Sequence, residues 1–291
     1  MKRVLLVCFS ALAFVLSSCF DENEEQCLTL QFSVHDEYAG DGDFDSRIGN
    51  DILLTTFQGG EAVSSTVIPY ADIHHGQCTI KKPEGIAEEA MTLVAWGIPR
   101  TATGDCYQPV AEGTRFDSYY LESGATTTET TDHVTGSREF HEGYATVEKT
   151  TGRVLAKIAL SPIDCLIEVQ VEGFTPTGTP SVQIEGTAGR ANLEGDGVGN
   201  DAALQATLEA VPAVNGEYST GCVSAMPSKE GETVSVKVLD GTGAIAELRA
   251  PQDVPVPARP GGYIVFRYNM QAATVSIDVA GWTVTGEVAK L

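Results

Sequence analysis

Apolar residues at every second position mark most of the extended segments of this chain. Near the amino end, Leu28, Leu30, Phe32 and Val34 alternate with polar residues. Successive side chains of a strand point to opposite faces, so a period of two predicts one buried face and one solvated face. Helical periodicity is scarce, and the sequence therefore predicts an all-β protein.

The same pattern predicts a first set of strands in the amino-terminal half. After the strand that begins at Cys27, the predicted segments are 52–57, 63–68, 92–96, 116–121 and 153–160. Gly59-Gly60 predicts a hairpin-like turn between two of them. Residues 87–91 could form a short helical turn, and the threonine-rich stretch 123–136 is predicted to be a solvated loop.

A second set of strands is predicted after Pro162. Its segments are 167–171, 182–184, 234–239, 244–249, 263–268 and 275–279, with a long loop between 184 and 234. Many short alternating strands with Gly and Pro turns indicate two β-sandwiches. We expect an amino-terminal sandwich over 27–161 and a carboxy-terminal sandwich over 162–291, and no internal sequence repeat is convincing.

The first 18 residues have the pattern of a secretion signal. Lys2 and Arg3 precede an apolar run, 4–16, that is too short to cross a bilayer. The run ends in Leu-Ser-Ser-Cys, which resembles a bacterial lipobox with cleavage after Ser18 and lipidation, for example by palmitate, at Cys19. Each buried CH₂ of an acyl chain adds about 0.8 kcal/mol of membrane affinity, so release would be negligible. The alternative is an ordinary cleaved signal peptide with a chance cysteine.

Residues 19–26 are predicted to be a lipidated acidic tether. The stretch Phe20-Asp-Glu-Asn-Glu-Glu has little to bury and should be extended by self-repulsion. It resembles the acidic export signal of surface lipoproteins in Bacteroidales. No Asp directly follows Cys19, so the inner-membrane retention rule of enteric bacteria is not matched. The expected location is the outer membrane, lipid-anchored and facing outward; the alternative is a plain solvated linker.

The charge of the chain is strongly acidic. It has 18 Lys plus Arg and 40 Asp plus Glu, a formal net charge of −22. Loss of Lys2 and Arg3 with the signal would take this charge to −24. Such a surface repels phosphate groups, which excludes nucleic acid and anionic lipid as partners.

Seven cysteines are present, and five of them remain after Cys8 is removed and Cys19 is lipidated. They are Cys27, Cys78, Cys106, Cys165 and Cys222. An exported protein can form disulfides, but five is an odd number and the pairing stays open. Neither a CxxC spacing nor histidines at ligand spacing indicate zinc. Most of the cysteines are therefore expected to be small buried side chains, and no metal or cofactor is predicted.

Other constellations give weak signals for chemistry. Asp41-Gly-Asp-Phe-Asp45 opens like a calcium loop, but Ser46 and Ile52 stand where Gly and Glu are needed, which favours a solvated loop. The Gly-rich turn 196–201 lacks the Lys and the helix of a phosphate site. His74 and His75 would point to opposite faces, and His141-Glu142 has no second His four residues later. With no Gly-x-Ser-x-Gly elbow either, the chain is not expected to be an enzyme.

Several motifs together resemble one family. They are the Cys-x-Leu-x-Leu-x-Phe strand at Cys27, the Asp-rich loop 41–45, the segment Leu-Val-Ala-Trp-Gly at 93–97 and the late Trp282, all after the lipobox. This pattern is similar to the fimbrillin-A associated anchor and minor-subunit lipoproteins (FimB-type) of Bacteroidales fimbriae. The chain departs from the family at Gln58, where an Asp is expected.

The resemblance implies two transthyretin-like, Greek-key β-sandwiches and a structural role without catalytic residues. It implies fimbrillin subunits as partners, bound by strand addition at a sheet edge or groove. The terminal segment 273–291 is the candidate for a strand near that interface, and a merely structural last strand is the alternative. Shaft subunits of these fimbriae are cut after an Arg; Arg47 is such a position, although we expect it to stay uncut.

A second hypothesis is a tip adhesin or glycan-binding surface lipoprotein. Its mark would be an exposed aromatic cluster around Trp282 or Tyr119-Tyr120. Trp96, in a strongly apolar strand, is instead predicted to lie in the core.

Overall fold

The computed structural model describes residues 27–36, 41–44, 51–83, 90–98, 110–122, 141–148, 154–212, 216–279 and 282–291. The signal 1–18, the tether 19–26, Arg47 and Cys106 lie outside these ranges, as do most of the predicted helical turn and the threonine-rich loop. Nearly all regular structure in the described part is β-strand, so the predicted all-β class is confirmed.

The first sandwich consists of two sheets that share one core. Its strands are β1 (Cys27–Val34), β2 (Asp51–Gln58), β3 (Glu61–Ile68), β4 (Gln77–Lys81), β5 (Met91–Ile98), β7 (His141–Val147) and β8 (Val154–Pro162). Sheet I has the order β3-β2-β5-β7, and sheet II has the order β8-β1-β4. The two sheets meet at a corner, where β7 and β8 pair only at His141↔Pro162 and Glu142↔Ser161.

Strand β1 is the centre of sheet II. It runs parallel to β8 and antiparallel to β4. Leu28, Leu30, Phe32 and Val34 are all buried, as the alternation predicts. Phe44 closes this core: its ring lies 5.5 Å from that of Phe32.

The second sandwich is built from the rest of the chain. Its strands are β9 (Cys165–Glu172), β10 (Ser181–Asn192), β11 (Gly197–Thr207), β12 (Glu209–Ala210), β13 (Glu217–Ala225), β14 (Ser235–Leu239), β15 (Ala244–Arg249), β16 (Tyr263–Asn269), β17 (Thr274–Val279), β18 (Trp282–Thr285) and β19 (Glu287–Lys290). Sheet III has the order β11-β10-β14-β15-β19, and sheet IV has the order β12-β13-β9-β16-β17-β18.

The two sandwiches repeat one topology, although the sequence shows no convincing repeat. In each, the first strand lies between an antiparallel strand and a late parallel strand: β1 between β4 and β8, β9 between β13 and β16. In each, the facing sheet has the same order, β3-β2-β5-β7 in the first and β11-β10-β14-β15 in the second. The second sandwich adds β12 and the terminal strands β17, β18 and β19.

A third hydrophobic cluster joins the sandwiches. Sheet I contributes Leu53, Phe57, Val94 and Trp96, and the second sandwich contributes Ala191 and Met226. Strands β2 and β5 are therefore buried on both faces, which explains their near-continuous apolar sequences. Trp96 is fully buried here, and its predicted core position is confirmed.

A segment that we call the strap, residues 110–122, covers this cluster. Gly113 N donates to Ala62 O over 2.8 Å and Ala62 N donates to Thr114 O over 2.8 Å, so the strap extends the edge of β3. Its last residues form β6 (Tyr120–Glu122), which pairs antiparallel with β10. The strap is thus hydrogen-bonded to both sandwiches.

Two sequence predictions about strands were wrong. Residues 116–121 are not one strand, because Phe116–Ser118 form a 3₁₀ turn and only β6 follows. The long loop predicted between 184 and 234 contains the end of β10 together with β11, β12 and β13. Register shifts in β10–β11 and in β13 break the alternation there, so the period of two is lost.

Candidate assembly surfaces

The terminal segment 273–291 forms the outer strands of both sheets of the second sandwich. β17 pairs with β16, and β18 pairs with β17 at the edge of sheet IV. The chain then crosses to sheet III, where β19 pairs with β15 and forms one edge of that sheet. The segment proposed from the sequence therefore supplies two edge strands, whose outer backbone groups have the geometry needed to pair with another strand.

Gly286 makes the crossing between these sheets possible. A Cβ at this position would lie 2.8 Å from the carbonyl oxygen of Arg249 and 2.7 Å from Cγ1 of Val275. Gly286 N donates to Val275 O over 2.9 Å, which fixes the turn against β17.

β17 is held much more firmly than the two strands after it. Val275 and Ile277 belong to the main core of the second sandwich. Residues 283–291 are only half-buried or exposed, and Leu291 is 61% exposed. Residues 283–291 therefore have less apolar burial to lose than β17 does.

The outer face of sheet IV carries a polar network centred on Glu168. Its carboxylate accepts hydrogen bonds from Gln170 Nε2 at 2.8 Å, Ser219 Oγ at 3.0 Å and the Tyr263 hydroxyl at 2.6 Å. Partial burial acts to raise the pKa of Glu168, but these hydrogen bonds outweigh it and hold that pKa below its usual value. Burial and the bond to Glu168 raise the pKa of Tyr263.

A second polar cluster lies between the sandwiches. The Tyr119 hydroxyl is 3.1 Å from Thr55 Oγ1, which is also 3.0 Å from Ser65 Oγ. Burial raises the pKa of Tyr119 to about 12. Burial likewise raises the pKa of Glu142 to about 8, so at neutral pH this carboxyl is mostly protonated.

The aromatic cluster expected of a glycan-binding surface is not formed by Tyr119. Tyr119 is 6% exposed and packs against Trp96 and Phe57. Tyr120 is 41% exposed, and the Arg190 guanidinium covers its ring at 4.3 Å. The backbone of Trp282 lies in β18, far along the chain from both.

The other candidate residues are dispersed. His74 bridges to Gln77 at a tight turn, and His75 has a left-handed φ of 52°. His141 and Glu142 lie at the corner between β7 and β8. The predicted glycine-rich turn, residues 196–201, mostly belongs to β11 instead. Within the described residues no cluster of three or more His, Cys, Asp or Glu side chains could hold a metal ion.

No disulfide joins the cysteines that the structure describes. Cys78 and Cys165 are buried, while Cys27 and Cys222 are half-buried. Burial raises the pKa of Cys78 to about 12, which keeps this thiol protonated. None of the helices in the described ranges has the length and apolarity to span a bilayer.

Comparison by sequence finds neither a matching protein-family model nor a matching curated protein. Comparison by structure finds extensive matches. A candidate adhesin of Bacteroides thetaiotaomicron matches with a TM-score of 0.59 at 11% identity, over 89% of this chain and 97% of that one. The fimbrial anchor protein Mfa2 of Porphyromonas gingivalis matches with a TM-score of 0.56 at 13% identity, over 89% and 98% of the two chains.

A third match is described as a candidate polysaccharide-binding protein of Bacteroides thetaiotaomicron. Its TM-score is 0.57 at 12% identity, over 90% of this chain and 98% of that one. At such identities the matches show a shared fold. The proteins that share it include a candidate adhesin and a fimbrial anchor protein of Bacteroidales, in agreement with the sequence resemblance.

Proposed function

We propose that this protein is an outer-membrane lipoprotein that acts as an anchor or minor subunit of a surface fimbrium. The observation that carries the proposal is the two-sandwich fold shared with the fimbrial anchor Mfa2 over 89% of this chain and 98% of that one. The lipobox at Cys19 supplies the attachment to the membrane, and fimbrillin subunits are the partners. The role is structural and needs no catalytic residues.

An anchor, unlike a processed shaft subunit, needs β1 to stay covalently linked to the rest of the chain, and we expect Arg47 to stay uncut. Cleavage after Arg47 would cut the covalent link between β1 and the rest of sheet II. β1 buries four large apolar side chains, and each contributes about 1.5–3 kcal/mol when it is removed from water. A chain that keeps β1 covalently linked keeps both its core and its link to a lipid at Cys19.

Strand addition would take place at the edges formed by 273–291. A strand of the neighbouring fimbrillin would pair with the outer backbone groups of β18 or β19, because antiparallel pairing needs only an exposed edge. Polar residues such as Thr283 and Thr285 on β18 keep this edge soluble before assembly.

Membrane attachment is tested by the partitioning of Cys19→Ala, with Cys8→Ala as the control within the signal. The first variant should move to the soluble fraction, and the control should stay with the outer membrane. Mass spectrometry of the mature amino terminus should find an acylated Cys19. A new terminus at Ile48 would show a processed shaft subunit, and an unmodified terminus would refute the lipid anchor.

Assembly is tested by a photo-crosslinking residue at Thr285, which is exposed on β18. The matched control carries the same residue at Thr79, which is exposed on β4 of the first sandwich. In cells with fimbriae, the Thr285 variant should crosslink to a fimbrillin and the Thr79 variant should not. Equal crosslinking from both positions would refute the assigned edge, and none from either would refute the partner.

A further inference from the structure

A trough crosses the outer face of sheet IV, on the side away from the core. Its volume is about 730 Å³, which lies within the range of small-molecule sites. Two neighbouring rows of outward-facing side chains form its walls, and each row runs across several strands. Buried residues such as Val171, Tyr268 and Val275 alternate with them along the strands and separate the trough from the core.

The first row consists of Glu217, Glu172, Asn269 and Thr274, on β13, β9, β16 and β17. Adjacent strands lie about 4.8 Å apart, so the row spans roughly 14 Å. Asn269 Nδ2 donates to Glu172 Oε2 over 2.9 Å, which orients both side chains.

The second row consists of Gln170, Arg267, Ser276 and Thr285, on β9, β16, β17 and β18. Arg267 Nε donates to Gln170 Oε1 over 3.0 Å, and the guanidinium also forms an ion pair with Asp278. Asp278 in turn accepts a hydrogen bond of 2.6 Å from Thr283. The one cationic side chain of the trough is therefore neutralised and fixed in place.

These side chains keep hydrogen-bonding capacity beyond their mutual contacts. A carboxylate has about four acceptor positions and a guanidinium has five N–H donors, and each uses only some of them here. Because neighbouring side chains already restrain them, little further conformational entropy is lost when a ligand binds.

The chemistry of the walls selects the ligand. Amides, hydroxyls, carboxylates and a guanidinium place donors and acceptors side by side, and a sugar hydroxyl is both a donor and an acceptor. Glu172 and Glu217 disfavour an anionic ligand, since Arg267 is already paired with Asp278. The outward-facing side chains of both rows are all polar, and the lining Tyr268 is only 3% exposed.

We propose that this trough binds a neutral oligosaccharide whose sugar rings lie across strands β9, β16 and β17. The trough lies on a sheet face, whereas strand addition uses the backbone groups of an edge; Thr285 on β18 belongs to both surfaces. Without an exposed aromatic ring in the lining, binding should be weak, with a Kd on the order of 1 mM.

The test is saturation-transfer difference NMR on the mature protein. The probes are the neutral hexamers of glucose, mannose and N-acetylglucosamine, the anionic hexamer of galacturonic acid, and hexalysine. At least one neutral hexamer should bind, and the galacturonate hexamer should bind about tenfold more weakly because of like-charge repulsion. Absence of binding by every neutral hexamer at about 10 mM would overturn the proposal. Preferential binding of hexalysine would overturn it in favour of a basic peptide.

Two variants test whether the neutral hexamer binds in the trough. Thr274→Trp should fill the trough, and Glu172→Ala should remove an acceptor; each should weaken the bound neutral hexamer about tenfold. Thr207→Trp is the matched control, because Thr207 is exposed on β11 in the opposite sheet. Equal binding by Thr274→Trp and Thr207→Trp, with both variants folded by circular dichroism, would show that the sugar binds elsewhere.

Discussion

Tyr119 and its neighbour Tyr120 allow a direct test of how the two sandwiches are joined. The Tyr119 ring lies 5.4 Å from Phe57 and 5.8 Å from Trp96, inside the cluster between the sandwiches. Tyr120, the next residue, points to the surface and contacts the Arg190 guanidinium. Replacing either tyrosine by alanine therefore removes the same phenol group, in one case from a packed core and in the other from the surface.

The expected costs differ several-fold. Tyr119→Ala leaves a cavity in a packed core, and such aromatic truncations cost about 3–5 kcal/mol. Tyr119→Phe keeps the ring and removes one hydrogen bond; Thr55 Oγ1 still has Ser65 at 3.0 Å, so the cost is about 1 kcal/mol. Tyr120→Ala removes a cation–π contact at an exposed site, worth about 0.5–1 kcal/mol.

The assay is urea unfolding followed by tryptophan fluorescence, because Trp96 packs directly against Tyr119 and reports on the cluster. The free energy of unfolding should be highest in Tyr120→Ala, similar or slightly lower in Tyr119→Phe, and clearly lowest in Tyr119→Ala. If Tyr119→Ala cost no more than Tyr120→Ala, the strap would not be part of the core that joins the sandwiches.

Three further predictions concern other parts of the structure. Between the usual carboxyl pKa of 4.5 and the raised value of about 8, folded Glu142 holds a proton that the unfolded chain has lost. Stability should therefore fall by on the order of a few kcal/mol as pH rises through this window, and Glu142→Gln should abolish that slope in urea titrations; an unchanged slope contradicts the burial of this carboxyl. Gly286→Ala should displace β19 from β15 at a cost of about 1–3 kcal/mol, measured as faster amide hydrogen exchange at Ala289, which pairs with Glu247; native exchange would contradict the close approach to Arg249. Leu30→Ala should cost about 2–5 kcal/mol and Thr29→Ala less than about 0.5 kcal/mol in thermal unfolding, and similar values would contradict the central place of β1.

Local patterning is sufficient to locate strands that bury at least one face. In β1, β9 and β14 the alternation of apolar and polar residues coincides with alternation of buried and less buried side chains. In β2 and β5 the near-continuous apolar run has a different cause, since both faces are covered. These signals fix the all-β class without knowledge of which strands pair.

Some strands cannot be located in this way, because their own sequences show little alternation of apolar and polar residues. β13 contains a register shift between Ser219 and Cys222, and β11 buries few large apolar side chains. In β7, Gly143 lies against the backbone of β8: a Cβ there would be 2.2 Å from Ala159 O, so only glycine fits. Such strands owe their conformation to pairing with distant neighbours, which a single stretch of sequence does not reveal.

The sequence by itself determined the β class and many of the strands, and its lipobox-like start predicts export and lipid attachment. Only the tertiary structure decided that one topology occurs twice, that Tyr119 is buried while Tyr120 is not, and that polar residues of five strands line one trough. The physical reason is that the backbone of each strand directs successive side chains to opposite faces, so the alternation of apolar and polar residues is a local property. Which surface covers a given face depends on residues that are far apart along the chain and meet only when it folds.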